Sequence, residues 1–172
     1  QLREYETSLD TIQEEITTFM TKLFASALPH DVADEIHRQL RIAHEYESVS
    51  DCIDNLERLD EKMSRHGSDV SSNFHNGITE LSNCTQSVLK EINTALRTKQ
   101  QHALKEFASV MERVRFQIKE LRSKQLEELT NAGVPPTVTS IVLSVLNGYA
   151  HLFSHFENIV EDVGAHVEIR LA

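Results

Sequence analysis

HEYESVSDCIDNL, residues 44–56, carries the two patterns that predict both the fold and the candidate site of this chain. Its apolar residues recur at spacings of three and four, as they do on one face of an α-helix. The motif Glu-Tyr-Glu-x-x-x-Asp at residues 45–51 occurs a second time at residues 4–10. In each copy two carboxylates stand four residues apart on one helix face, where like charges weaken an isolated helix. We therefore expect a bound cation to compensate the repulsion.

Five long helices are predicted from the same periodicity, over about residues 2–26, 31–65, 70–97, 101–131 and 136 to the C-terminus. Pro29, the run at residues 66–69, a polar stretch at residues 97–101 and the run at residues 131–136 separate them. Short connections favour antiparallel neighbours, so the predicted fold is an all-α, antiparallel helical bundle.

The first and the fifth helices have the clearest apolar patterns. The fifth is the most apolar of the five, so it should be the most central, and Gly148 within it should allow close packing. The first carries an a/d-type seam of seven residues. These are Leu2, Tyr5, Leu9, Ile12, Ile16, Phe19 and Leu23.

Composition narrows the function classes. The chain has 172 residues and a net charge of −10, so nucleic acid is an unfavourable partner. Two cysteines do not make a disulfide framework, which favours a reducing compartment. No signal peptide or membrane-spanning run is present, and the chain begins with Gln1, as a fragment of a longer protein would. No phosphate loop and no nucleophile–base pattern occurs, which favours a binding or regulatory module over an enzyme.

The two motif copies predict one metal site. An antiparallel hairpin of the first two helices would place Glu6 and Asp10 opposite Glu47 and Asp51. Oxygen ligands of this kind suit Mg²⁺, Ca²⁺ or Mn²⁺, and bridged iron is a further option. His44 shares the face of Glu47 and Asp51, as a nitrogen ligand or as a hydrogen-bond partner of a ligand.

Other interpretations of these residues stay open. The acids can form a solvated helix face and pair with basic neighbours, namely Arg3, Arg38, Arg58 or Lys22. His30, His37 and His44 recur every seven residues, which is wide for one metal ion. His151 and His155 have the spacing of zinc ligands, but no acidic pair or cysteine stands nearby. Cys52 is interpreted as a buried thiol.

Residues 40–51, LRIAHEYESVSD, followed by Asn55, resemble the PhoU signature L-R-x-x-x-x-L-E-R-I-G-D-x-x-x-N-I. Residues 155–159, HFENI, are similar to the D-H-x-x-N-I of its second copy. The charged run at residues 118–129 and the AGVPP that follows at residues 132–136 resemble the form found in sodium/phosphate cotransporters. The resemblance implies two related helical units, residues 1–98 and 99–172, with metal clusters bound by pairs of acidic motifs.

What the resemblance implies about function is regulation of phosphate transport without catalysis. The expected protein is the C-terminal domain of a sodium/phosphate cotransporter on the cytoplasmic face of the cell membrane. Its partner would be the membrane domain of that transporter, and a homodimer is left open. The alternatives are a stand-alone PhoU-type signalling regulator and a di-metal carboxylate protein. The second alternative lacks the Glu-x-x-His motifs that di-iron helical bundles use.

The second unit departs from the signature. When Asn158 is aligned with Asn55, Ala150 and Ser154 occupy the two acidic positions, and on the neighbouring helix Glu112 is followed by Phe116 in place of the aspartate. A hard cation cannot be held by alanine, serine and phenylalanine. We therefore expect no metal there, and a plainly packed bundle instead.

Overall fold

Five α-helices make up the computed structural model of this chain, which describes residues 2–24, 29–65, 70–98, 106–132 and 135–171. The side chains of residues 2, 3, 6, 128–132 and 165–171 are not described. The helices are α1 (Leu2–Phe24), α2 (His30–Ser64), α3 (Ser72–Thr98), α4 (Phe107–Ala132) and α5 (Pro136–Leu171). The described ranges contain no strand, so the all-α prediction is confirmed.

The predicted helix ends agree with the observed ones to within two residues wherever both are described. The start of the fourth helix was expected near residue 101, which lies in the undescribed range 99–105, and α4 is observed from Phe107. The predicted stop at residues 66–69 also lies outside the described residues, as do residues 133 and 134 of the last break.

Three pairs of neighbouring helices run antiparallel, as the residue pairs between them show. Between α2 and α5, Arg41 pairs with Asp162, whereas Leu56, farther along α2, meets Gly148, which lies earlier on α5. Between α4 and α5, Arg115 pairs with Glu157 and Arg122 with Asn147, again in opposite order. Between α3 and α4, Gly77 meets Leu121 and Glu80 pairs with Gln117. The short connections thus produce the antiparallel bundle that was predicted.

The core lies around α5. Phe153 and Phe156 meet edge to face with ring centroids 5.6 Å apart, and Phe156 has no exposed surface. The cluster of buried side chains around them draws on α2, α3 and α4. A Cβ atom added to Gly148 would lie 2.8 Å from Leu56 Cδ2, closer than ordinary contact. The predictions of a central fifth helix and of close packing at Gly148 are therefore confirmed.

α1 stands apart from this core, because its main neighbour is α2 alone. The ring of Phe24 near its end lies 4.4 Å from the ring of His37. Tyr5, Ile12 and Phe19 are 59%, 51% and 60% exposed, so the prediction that they lie in a closed seam is wrong. α2 is the main neighbour of α1, and these three heptad-spaced side chains stay largely exposed.

Candidate metal centre

Three carboxylates converge where α1 crosses the middle of α2. Glu47 and Asp51 lie one turn apart on α2, and Asp10 reaches them from α1. Each offers one oxygen, and the three oxygens lie within 4.8 Å of one another. Glu47 is partly buried, while Asp10 and Asp51 are exposed. Ca²⁺–oxygen bonds are about 2.3–2.6 Å long, so one ion between the three oxygens can reach them all with little adjustment.

Basic side chains do not neutralise this group within the described part of the chain. Arg38 pairs with Glu35 and Arg58 pairs with Asp54. The other salt bridges of described lysine and arginine side chains also involve acids outside the three carboxylates, and the alternative that basic neighbours pair with the motif acids stays a prediction. The side chain of Arg3 is not described. Three like charges with no salt bridge to a described lysine or arginine favour a cation between them.

The remaining two predicted ligands are placed differently. Glu6 lies in α1, but its side chain falls outside the described residues. His44 is not one of the three converging side chains. Its Nδ1 lies 3.7 Å from Glu47 Oε2, and its side chain is 66% exposed. His44 is thus a neighbour of Glu47 that can hold this carboxylate in place when it is protonated.

The other histidine patterns do not assemble a site among the described residues. Asp10, Glu47 and Asp51 form the only group of three metal-ligating side chains found there. His37 packs on Phe24, and the side chain of His155 pairs with Glu45. The zinc interpretations of the histidine stripe and of the His151–His155 pair therefore receive no support.

Glu45, the first acid of the second motif copy, has a role that the sequence did not reveal. Its Oε2 lies 2.7 Å from His155 Nδ1, and its Oε1 accepts a hydrogen bond of 3.1 Å from Asn158 Nδ2. One turn before Glu45 on α2, Arg41 donates hydrogen bonds from its Nε and from a terminal guanidinium nitrogen to Asp162 Oδ1. These contacts join α2 to α5 next to the carboxylate group along the sequence of α2. The match of Asn158 to the PhoU signature was the sequence feature available for this contact, but it did not identify Glu45 as the partner of Asn158.

Comparisons with protein-family models, with curated proteins and with solved structures find no match for this chain. The resemblance to the PhoU signature therefore stays an inference from the residues quoted above. Of the helices described, none is both long enough and apolar enough to cross a membrane.

Ala150 and Ser154 stand where the resemblance to the PhoU signature places the acids of a second unit. Ala150 and Ser154 line a groove of about 400 Å³ between α4 and α5, together with the basic residues Arg115, Lys119 and Arg122. Glu157 lines the same groove and pairs with Arg115. The expectation of no metal in this half stays a prediction. Phe116, which stands in place of the aspartate on the neighbouring helix, is 66% exposed.

Tyr46 and Cys52 flank the carboxylate group along α2, and both stay protonated at neutral pH. The Tyr46 hydroxyl donates a hydrogen bond of 2.5 Å to Asn93 Oδ1, and burial raises the pKa of Tyr46 to about 12. Burial, and then the charge of Asp51, raise the pKa of the Cys52 thiol. A thiol with a raised pKa is a poor metal ligand, so the candidate site keeps oxygen donors only.

The raised pKa of Tyr46 predicts a loss of stability in alkali. The Tyr46 phenol is harder to ionise in the folded chain than in the unfolded chain. Its contribution to the free energy of unfolding is therefore complete below pH 10 and is lost as the pH rises from about 10 towards 12. Allowing for the partial exposure of Tyr46, the loss should be on the order of 1 kcal/mol. Urea unfolding followed by circular dichroism between pH 8 and pH 11 measures it. Tyr46→Phe should make the pH dependence less steep, and the remainder comes from other groups such as Tyr149, whose pKa burial also raises. Tyr5→Phe, at a 59% exposed site, is the matched control and should change the slope less. Equal slopes for both variants would contradict this assignment.

Proposed function

We propose that this chain is a non-catalytic regulatory domain of phosphate transport, of the PhoU type. In this proposal it modulates a sodium/phosphate cotransporter from the cytoplasmic face of the membrane. One divalent cation, held by Asp10, Glu47 and Asp51, fixes α1 against α2. The observation that carries the proposal is the convergence of three carboxylates from two helices, where no salt bridge to a described lysine or arginine is found.

The position of α1 is the property that the cation would control. α1 contacts the bundle mainly through α2, and no residue of α1 belongs to the buried core cluster that the structure describes. A weakly anchored helix is the kind of element that a ligand can shift between two arrangements. Tyr5, Ile12 and Phe19 form an exposed apolar column on it. Fixing α1 would present this column to the membrane domain in one orientation.

Ligand chemistry favours a hard cation. All three donors are carboxylate oxygens, two of them exposed, so water can complete the six or more ligands that Ca²⁺, Mg²⁺ or Mn²⁺ requires. A bridged di-iron centre would need histidine donors within the group, but His44 lies beside Glu47 and is not one of the converging ligands. The non-catalytic assignment is supported by the raised pKa of Cys52, which keeps this nearby thiol in its less reactive form.

Phosphate uptake in cells tests the regulatory role. The double variant Asp10→Asn and Asp51→Asn, introduced into the natural gene, should raise uptake of radiolabelled phosphate under phosphate-replete conditions by about fivefold, the low end of the usual coupling between two sites. The matched control is Asp34→Asn, an exposed aspartate of α2 outside the carboxylate group. Uptake in the double variant equal to that in the control, at equal protein levels, would reject the proposed function.

A further inference from the structure

The groove of about 400 Å³ between α4 and α5 carries positive charge on a chain whose net charge is −10. Its described lining contains three basic residues, Arg115, Lys119 and Arg122, and one acidic residue, Glu157. The basic residues follow one another at spacings of four and three on α4, so they lie on one face of this helix. A volume in this range is typical of sites for small molecules.

Two of the three positive charges in the groove are not compensated by a described acid. Arg115 donates to both carboxylate oxygens of Glu157, at 2.5 and 2.7 Å. Arg122 donates instead to the uncharged side chain of Asn147, at 2.6 Å. Lys119 is exposed, and no salt bridge between it and a described acid is found. Lys119 and Arg122 therefore present two positive charges one turn apart.

α5 contributes small side chains to the same groove. Ala150 and Ser154 line it, and both are exposed. Along α5 they fall between the two contacts with α4 described above, as Lys119 does along α4. The alanine leaves room for a ligand beside Lys119, and the serine hydroxyl can donate a further hydrogen bond.

The remaining walls of the groove are mainly apolar. Met111, Val114, Ile118 and Phe153 belong to its lining, and none of them is more than 6% exposed. Charges attract one another more strongly beside such a surface than in open water.

The charge of the groove favours a phosphate group over other common anions. A phosphate monoester carries about −1.5 to −2 charges at pH 7 and offers three strong acceptor oxygens. It can therefore match both uncompensated cations, Lys119 and Arg122, at once. A carboxylate or a sulfate ester carries a single negative charge and leaves one of the two cations unmatched.

We propose that this groove binds a phosphate dianion, either as the free ion or as a phosphomonoester with a small apolar body. Lys119, Arg122 and the Ser154 hydroxyl donate to the phosphate oxygens, and the body of a monoester packs against the apolar walls. The proposal depends neither on the metal centre nor on a role in phosphate transport, because it rests only on the charges and the shape of the groove between α4 and α5.

An NMR titration of the whole ¹⁵N-labelled chain with phenyl phosphate, at pH 7 and low salt with EDTA, tests the proposal. Amide signals around residues 119–123 and 150–154 should shift, with a dissociation constant on the order of 1 mM for a ligand of this size. EDTA excludes phosphate that is held through a metal ion at the three carboxylates of α1 and α2. Phenyl sulfate, a monoanion of the same shape, should bind about tenfold more weakly.

Sodium phosphate distinguishes the two sources of the dianion. Weaker binding of the free ion than of phenyl phosphate would support a phosphomonoester as the ligand, because the ring then contributes through the apolar walls. Equal binding of the two would support the free ion.

Substitutions of Lys119 test its role as a donor to the phosphate. Lys119→Gln should weaken binding of phenyl phosphate by about tenfold, because it removes one of the two uncompensated cations. The matched control is Lys124→Gln, which removes a positive charge from the same helix at a side chain that is 68% exposed and outside the groove lining. Solvent and salt screen a charge at such a site, so this control should change the dissociation constant by less than about twofold.

Substitutions of Ala150 separate charge from volume. Ala150→Glu brings a carboxylate into the groove and should abolish binding, whereas Ala150→Gln, which has nearly the same size without the charge, should retain most of it. Circular dichroism verifies that each variant is folded. The proposal is overturned if phenyl phosphate shifts no groove signal at about ten times the expected dissociation constant. It is equally overturned if phenyl sulfate binds as well as phenyl phosphate, or if folded Lys119→Gln and Ala150→Glu bind like their controls.

Discussion

Replacing Phe156 with alanine should lower the free energy of unfolding by about 3–5 kcal/mol. Phe156 has no exposed surface, packs edge to face on Phe153 and lies in the cluster that joins α5 to α2, α3 and α4. The substitution removes the transfer free energy of the ring and leaves a cavity that the helices can close only in part. Since domains are stable by only about 5–15 kcal/mol, the loss should move the urea midpoint strongly.

Phe116→Ala is the matched control for this experiment. It deletes the same atoms from α4, at a position that is 66% exposed. A surface substitution of this kind should change the free energy of unfolding by at most about 0.5 kcal/mol. Equal losses for the two variants would contradict the placement of α5 at the centre of the bundle.

Asp51→Asn should change the stability of the fold in opposite directions with and without divalent cations. Without them, the variant relieves like-charge repulsion with Glu47 on the same helix face and should be more stable by a few tenths of a kcal/mol. With Ca²⁺ at about 100 times its dissociation constant, the unmodified chain should gain roughly 2.7 kcal/mol of stability. Removing one of three ligands should weaken Ca²⁺ binding by about tenfold or more and abolish most of that gain.

Thermal unfolding in EDTA and in a Ca²⁺ series measures both effects on the same samples. Asp34→Asn is the control, because it removes one exposed negative charge from α2 without touching the carboxylate group. If Asp51→Asn and Asp34→Asn respond to Ca²⁺ alike, the three carboxylates do not form the binding site, and any stabilisation comes from general screening of the negative net charge.

Local sequence patterns were sufficient to predict the helices and most of the candidate site. The apolar spacing of three and four depends only on residues within one helix, so helix positions could be predicted before any tertiary contact was known. The repeated acidic motif likewise identified Asp10, Glu47 and Asp51, because each pair is placed by its own helix. An antiparallel α1–α2 hairpin was then enough to bring the three together.

Features that depend on distant partners were not predicted. The apolar column of Tyr5, Ile12 and Phe19 was identified correctly as one face of α1, but periodicity does not reveal which neighbour covers a face. Glu45 looked like one acid among many, and its partner His155 lies 110 residues farther along the chain. Asp54 resembled an ordinary helix acid, and its burial follows only from the packing of the bundle around it.

A crystal structure of the chain grown with Mn²⁺, with anomalous diffraction recorded near the manganese absorption edge, tests the metal centre most directly. One anomalous peak is predicted between α1 and α2, within coordination distance of carboxylate oxygens of Asp10, Glu47 and Asp51. No peak at that position in crystals saturated with Mn²⁺, or a peak only at other residues, would contradict the proposed metal centre.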